Sequence, residues 1–327
     1  MGCNNPKKAW HIPGDITPRG KPKLRFAYPG TEADEILLPC NRCTGCYMNI
    51  GQDWMTRLIN ESAMHEWSWF LTLTYDEENL PYGNSLVPEH SHKFARALRD
   101  HFRRRGEKIR HYMIGEYGGR FGRPHYHGIV FGPEFSDRKK VATRNGEHTC
   151  FESPLIAKLW GKGIHELSLA SPDTMAYVSK YVTKKALTRE DPFAHHYVVP
   201  ETGEMIPQEP EFAHMSRRPG IGAKWLDKWT GDVFPSDEIV ANGKAMRVPR
   251  YYYNRLKERD PELAERVRAS RKKKALAVPL IETTTRRRKV KETIAERKAL
   301  GGTNIGSGRY RNAPGMTGAE LQKKAKL

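Results

Sequence analysis

The sequence predicts an α+β domain built on an antiparallel sheet. Helix-like and strand-like segments alternate irregularly, without the regular strand–helix–strand order that a parallel sheet requires. Two strand-like runs, residues 111–119 and 122–132, are separated by a turn so short that it predicts a hairpin. A third run, residues 67–75, is rich in aromatic and β-branched residues and alternates after Phe70.

In chain order, residues 1–38 hold Pro6, Pro13, Pro18, Pro22 and Pro29, which disfavours a continuous helix and predicts an extended arm. Cys40, Cys43 and Cys46 follow at Cys-x-x-Cys-x-x-Cys spacing. The N-terminus lacks an apolar signal core, and in a cytosolic chain this spacing points to a structural metal rather than disulfides. Zn2+ is the usual ion on thiolates, with an iron–sulfur cluster as the alternative. The fourth ligand is open among Cys3, Cys150 and His11. Residues 48–66 place Trp54, Leu58, Ile59 and Met64 near helical spacing, a first packed helix. Strand 67–75 then stops at an acidic turn containing Asp76 and Glu78. Residues 88–105 carry Phe94, Leu98 and Phe102 four apart among six basic residues, an amphipathic basic helix. Residues 133–153 show no periodicity and read as a loop. A short helix at 156–160 and a strand at 161–169 precede a further helix from Thr174. Residues 214–222 and 247–253 read as loops with basic and aromatic side chains interleaved, suited either to stacking bases or to filling a core. From 266 to 298 there are 13 Lys+Arg against 3 Glu, and a Gly-rich end follows.

Chemistry concentrates in the middle of the chain. His125 and His127 lie two apart in a strand and share one face, with Tyr126 on the other. Two imidazoles make half a metal site, and a nearby carboxylate shifts the preference towards Mg2+ or Mn2+ acting on phosphates. Glu116, ending the neighbouring strand, is the natural third ligand, with Asp76 and Glu78 as rivals. Tyr177 and Tyr181 stand one helical turn apart, each followed three residues later by a lysine, Lys180 and Lys184.

Residues 70–75, 115–118, 122–127 and 177–185, in that order, resemble the HUH endonucleases of rolling-circle replication, and within them the replication initiators of gokushovirus-type microviruses. The resemblance implies a five-stranded antiparallel HUH sheet with the histidines central and the tyrosine helix against the same face. It implies Mg2+ or Mn2+ held by His125, His127 and Glu116, with Tyr177 and Tyr181 as nucleophiles assisted by Lys180 and Lys184. Attack would leave a 5′ phosphotyrosine and a free 3′ hydroxyl that primes a polymerase. The expected partners are a single-stranded or supercoiled phage DNA origin and the host helicase and polymerase, in the host bacterial cytoplasm. The corresponding domain map is an arm with the Cys cluster at 1–47, the HUH domain at 48–190, a basic and aromatic extension at 191–260, and a basic, partly disordered tail at 261–327.

Composition points the same way. The 327 residues carry a net charge of +18, a field that attracts polyphosphates and makes affinity salt-sensitive. No stretch approaches the roughly 20 apolar residues of a membrane span. A non-catalytic zinc-bearing DNA-binding or packaging protein also accounts for the charge and the cysteines, but it leaves Glu116, the His pair and the Tyr-Lys units without a common purpose. A transposase or relaxase would share the chemistry and differ in setting.

Overall fold

The computed structural model describes residues 2–18, 22–118, 122–141, 149–181, 195–199, 201–241, 244–278 and 280–301. Its centre is a seven-stranded antiparallel sheet. β3 (Trp67–Thr74), β4 (Arg110–Tyr117), β5 (Pro124–Gly132) and β8 (His165–Leu169) are the longer strands, and β6 (Lys139–Val141), β7 (Cys150–Glu152) and β11 (Phe212–Met215) complete it in the order β11-β4-β5-β3-β8-β7-β6. The expectation of five strands is therefore corrected to seven. The added strands are three or four residues long, too short for a period of two to show, so 133–153 and the segment around His214 read as loops although they hold β6, β7 and β11.

Both faces of the sheet are covered. On one, α2 (Pro88–Arg104) and α3 (Pro154–Trp160) bring Phe94, Leu98, Phe102, Ile156 and Trp160 onto Trp69, Leu71, Met113, Tyr126 and Val130. On the other, α1 (Thr44–Ser62) and α4 (Pro172–Ser179) bring Leu58, Met175 and Val178 onto Tyr112, Ile114, Ile129 and Phe131. The central strands β4 and β5 thus send alternate side chains into two apolar layers, and their ladder is shielded from water on both sides.

The chain termini add to this core. The expected extended arm is a hairpin of β1 (Lys7–His11) and β2 (Asp34–Leu38). β9 (His196–Val198) and β10 (Met205–Pro207) form another. Beyond β11, α5 (Ala223–Val233), the hairpin β12 (Glu238–Ala241) and β13 (Lys244–Arg247), α6 (Arg250–Arg259) and α7 (Pro261–Leu276) enclose a second core of Leu226, Val233, Ile239, Tyr252, Leu256 and Val267. The expected loop at 247–253 is thus corrected: Tyr251, Tyr252 and Tyr253 belong to α6. Tyr252 is fully buried and its hydroxyl accepts a 3.0 Å bond from Asn60 of α1, so it is core and not a stacking platform for bases.

α1 is the post to which these parts are fastened. Its Glu61, 1% exposed, pairs with Arg110 of β4 and accepts the Gly222 amide at 2.6 Å, which satisfies a carboxylate that would otherwise be costly to bury. Arg57 lies between the rings of Trp54 and Tyr251 at 4.0 and 4.1 Å and donates to the Ile221 carbonyl. After a single turn at Leu280–Thr283, α8 (Thr285–Gly301) also packs on α1. No helix among the described residues is long and apolar enough to cross a membrane.

Candidate active site

The antiparallel register of β4 and β5 sets Glu116 directly opposite His125 and Ile114 opposite His127, so the carboxylate and both imidazoles emerge from one face of two adjacent strands. Glu116 Oε1 lies 3.3 Å from His125 Nε2 and 3.4 Å from His127 Nε2. Among the described residues these three form one of two groups whose ligand atoms lie within 4.8 Å of one another. Glu116 is 2% exposed, while the histidines keep an opening to solvent.

The outer nitrogens of both rings are fixed. His125 Nδ1 meets the Arg123 carbonyl at 3.0 Å; because a carbonyl only accepts, Nδ1 is the donor, and this bond orients the ring with Nε2 towards Glu116 at 3.3 Å. His127 Nδ1 is held 3.0 Å from Thr72 Oγ1 of β3, and Phe70 stacks on the His127 ring at 5.4 Å. Anchoring one imidazole nitrogen so that the other is aimed is how proteins present histidines to metals. By donor type and convergence, the group suits a divalent cation.

The nucleophile candidates separate. α4 starts with a capping box, Ser171 Oγ accepting from the Thr174 amide and Thr174 Oγ1 from the Ser171 amide, with Pro172 in its first turn. This places Tyr177 over the site: its hydroxyl donates to Glu116 Oε1 at 2.5 Å and lies 3.4 Å from His127 Nε2, and its ring is edge-on to His127 and Phe70. Tyr177 keeps 40% of its surface exposed. Partial burial and then the Glu116 charge hold its phenol well above the usual range, so the hydroxyl rests protonated. Tyr181 does not join it. α4 closes at Ser179 with Lys180 as its C-cap, and Tyr181 packs into the layer with Leu58, Ile114 and Val178, its hydroxyl facing that of Tyr112. Its phenol is also raised, by burial. Lys180, that C-cap, is exposed, and Lys184 lies outside the described residues.

Asp76 and Glu78, the rival carboxylates, are not in the group. Asp76 Oδ1 accepts both the backbone and the side-chain amide of Asn79 at 2.8 Å, closing its own turn. Thr72, Phe70 and the Arg123 carbonyl went unseen in the sequence. The alternation of residues 70–74 puts Phe70 and Thr72 on one face, but that this face is shared with His127 depends on the β3–β5 register, Thr72 opposite His127.

The second convergent group is Cys3, Cys40, Cys43 and Cys46, which settles the open fourth position on Cys3 rather than Cys150 or His11. Cys150 lies apart, donating to Glu166 at 2.9 Å.

Comparison with known proteins follows the same residues. Residues 68–186 match the family REP_ORF2-G2P, replication-associated protein ORF2/G2P. The chain is 30% identical over 232 residues to replication-associated protein ORF2 of Spiroplasma virus 4, covering 67% of each chain. The chain belongs to the replication-associated proteins of gokushovirus-type microviruses. Within this family it is 29% identical over 272 residues to protein VP4 of Bdellovibrio phage phiMH2K, covering 80% of this chain and 79% of that one. It is 27% identical over 229 residues to protein ORF4 of Chlamydia phage 1, covering 68% and 54%. No solved structure matches it.

Proposed function

We propose that this replication-associated protein initiates rolling-circle replication by nicking a single-stranded phage origin through Tyr177. What supports the reading is the Tyr177 hydroxyl, 2.5 Å from Glu116 and 3.4 Å from His127, at the one group among the described residues that offers two imidazoles and a carboxylate. A Mg2+ or Mn2+ ion bound by Glu116, His125 and His127 supplies Lewis-acid polarisation of the scissile phosphate. The residues themselves do the rest. Thr72 and the Arg123 carbonyl keep both Nε2 atoms aimed, Glu116 orients the phenol oxygen by accepting its proton in a hydrogen bond, and Phe70 and His127 fix the ring.

In the step proposed, Tyr177 Oη bonds to phosphorus as the phosphorus–O3′ bond breaks. The phenol loses its proton to solvent and the 3′ oxygen takes one up, so the products are a 5′ phosphotyrosine and a 3′ hydroxyl. Exchange of one phosphodiester for another conserves its energy, so the reverse attack rejoins strands without ATP. Lys180, at the end of α4, supplies positive charge to the leaving oxygen or a flanking phosphate, with Lys184 beyond it in sequence. A host polymerase extends the 3′ end behind a host helicase, in the host cytoplasm. Tyr181 serves a second cleavage after leaving its packing beside Tyr112.

The test is incubation of end-labelled single-stranded origin DNA with protein and Mg2+, followed by denaturing electrophoresis and peptide mapping. The expected result is a covalent adduct on Tyr177, abolished by chelation and by His127→Ala. Undiminished nicking by the His125→Ala/His127→Ala double variant would overturn the proposal.

A further inference from the structure

The four cysteines lie far along the chain from the nicking chemistry, and their arrangement is that of a closed site. Cys40 and Cys46 sulfurs stand 3.9 Å apart, as do those of Cys3 and Cys43. Four thiolates about 2.3 Å from one tetrahedral ion have sulfurs about 3.8 Å apart. An iron–sulfur cluster, with inorganic sulfide and several irons between its ligands, needs a wider cage. The backbone is arranged for thiolates as well. The amides of Arg42 and Cys43 point at Cys40 Sγ, at 3.4 and 3.2 Å, that of Cys40 at Cys3 Sγ at 3.2 Å, and that of Asn4 at Cys43 Sγ at 3.4 Å. Four amides donating to sulfur in one small volume stabilise negative charge there. The knuckle that permits this turns at Asn41, whose φ of 55° suits Asn better than most side chains. Gly45 completes it: a Cβ there would stand 2.7 Å from the Gly2 carbonyl and 2.8 Å from Asn4 Nδ2, so only glycine lets the Cys3 segment lie against the first turn of α1.

We infer that Cys3, Cys40, Cys43 and Cys46 bind one Zn2+ ion as a four-coordinate structural site, and that this ion holds the N-terminal segment and the basic helix α8 together on the start of α1. With four protein ligands there is no open position for catalysis, so the site is architectural. The link to α8 is Glu292, whose Oε1 accepts the Thr44 amide at 2.8 Å and whose Oε2 accepts Asn4 Nδ2 at 2.5 Å. Cys43, the N-cap of α1, makes no side-chain cap, and a carboxylate from the far end of the chain does so instead. Cys3 and Cys43 immediately precede Asn4 and Thr44, the two residues that Glu292 holds, so the ion fixes the geometry this clamp requires.

The experiment is metal analysis of the purified full chain, with hydrogen exchange as a second readout. Wild type should carry one Zn2+ per chain. Cys3→Ser should lose at least tenfold in Zn2+ affinity, measured by competition with a chromogenic chelator, while Cys150→Ser retains it. Stripping the metal should raise exchange in α8 and at residues 2–5 and leave β3 to β5 protected. Glu292→Gln should raise exchange in α8 without loss of metal, a result that does not depend on any cysteine variant folding. Wild type with no Zn2+ or with iron in its place, Cys3→Ser with unchanged affinity, or α8 exchange indifferent to metal removal would each overturn the inference. None of these outcomes bears on nicking, which has its own assay.

Discussion

The two tyrosines, equivalent by their spacing, are placed unequally by the fold, and the inequality has a size. For Tyr181 to act first it must withdraw its ring from the layer formed by Leu58, Ile114 and Val178 and part from Tyr112. Exposing a large, largely buried ring costs roughly 1.5–3 kcal/mol. That is a factor of roughly 10 to 150 in rate. Tyr177 has no such barrier, because its hydroxyl already meets Glu116 and His127. In single-turnover cleavage of a labelled origin oligonucleotide, Tyr181→Phe should nick at close to the wild-type rate. Tyr177→Phe should be slower by that factor, with its residual adduct mapping to Tyr181, and the double variant should be inert. Equal first-cleavage rates for the two single variants would refute the reasoning, since they would mean that the buried tyrosine reaches the phosphate as readily as the one over the site.

Glu116→Gln should weaken Mn2+ binding at least tenfold by calorimetry, whereas Asp76→Asn should not, because Asp76 is committed to Asn79. His127→Ala should abolish nicking yet change single-strand affinity by less than about threefold, since backbone affinity rests on distributed basic residues and is lost with salt. Acid stability should report His111 and His214, whose pKa values fall to about 4 and about 3, chiefly through burial, and secondarily through Arg99, Arg110 and His92 beside His111 and through His111, His92 and Arg217 beside His214. Their unfolded value lies near 6.5, so unfolding takes up protons below that pH; stability is complete above about 6.5 and falls as pH drops towards 4, by up to roughly 1.4 kcal/mol per unit for each histidine. Urea unfolding at several pH values should show this slope, and His214→Gln should flatten it; an unchanged slope would remove His214 as a source.

Much of this architecture is legible in the sequence because its signals are local. Strand β3, helix α2 and the β4–β5 hairpin announce themselves by period and composition, and His-x-His declares its common face by parity alone. Glu116 as third ligand is likewise readable, since a short hairpin brings the end of one strand beside the start of the next. What escaped is what depends on register or on distant segments. Thr72 supports His127 only because β3 pairs with β5 in one alignment. β11 joins the sheet beside β4 across about a hundred residues of chain, with four residues of its own to signal it. α4 ends at Ser179, and the Tyr181 side chain packs with Leu58, Ile114 and Val178 instead of joining Tyr177, a placement set by the apolar layer that the helical spacing alone does not reveal. Cys3 is separated from Cys40 by a hairpin whose closure no local pattern specifies.

The Glu292 clamp sets an order on folding. Asn4 and Glu292 are 288 residues apart, so this contact closes a very long loop. During synthesis the cysteine knuckle and the first turn of α1 emerge well before Glu292, which caps them. Closing so long a loop carries a large entropic charge and comes late. A chain cut short of α8 therefore has an unfinished cap on α1, and because α1 also buttresses the sheet beneath Tyr177, α8 acts as a completeness check on a part of the molecule that was made earlier.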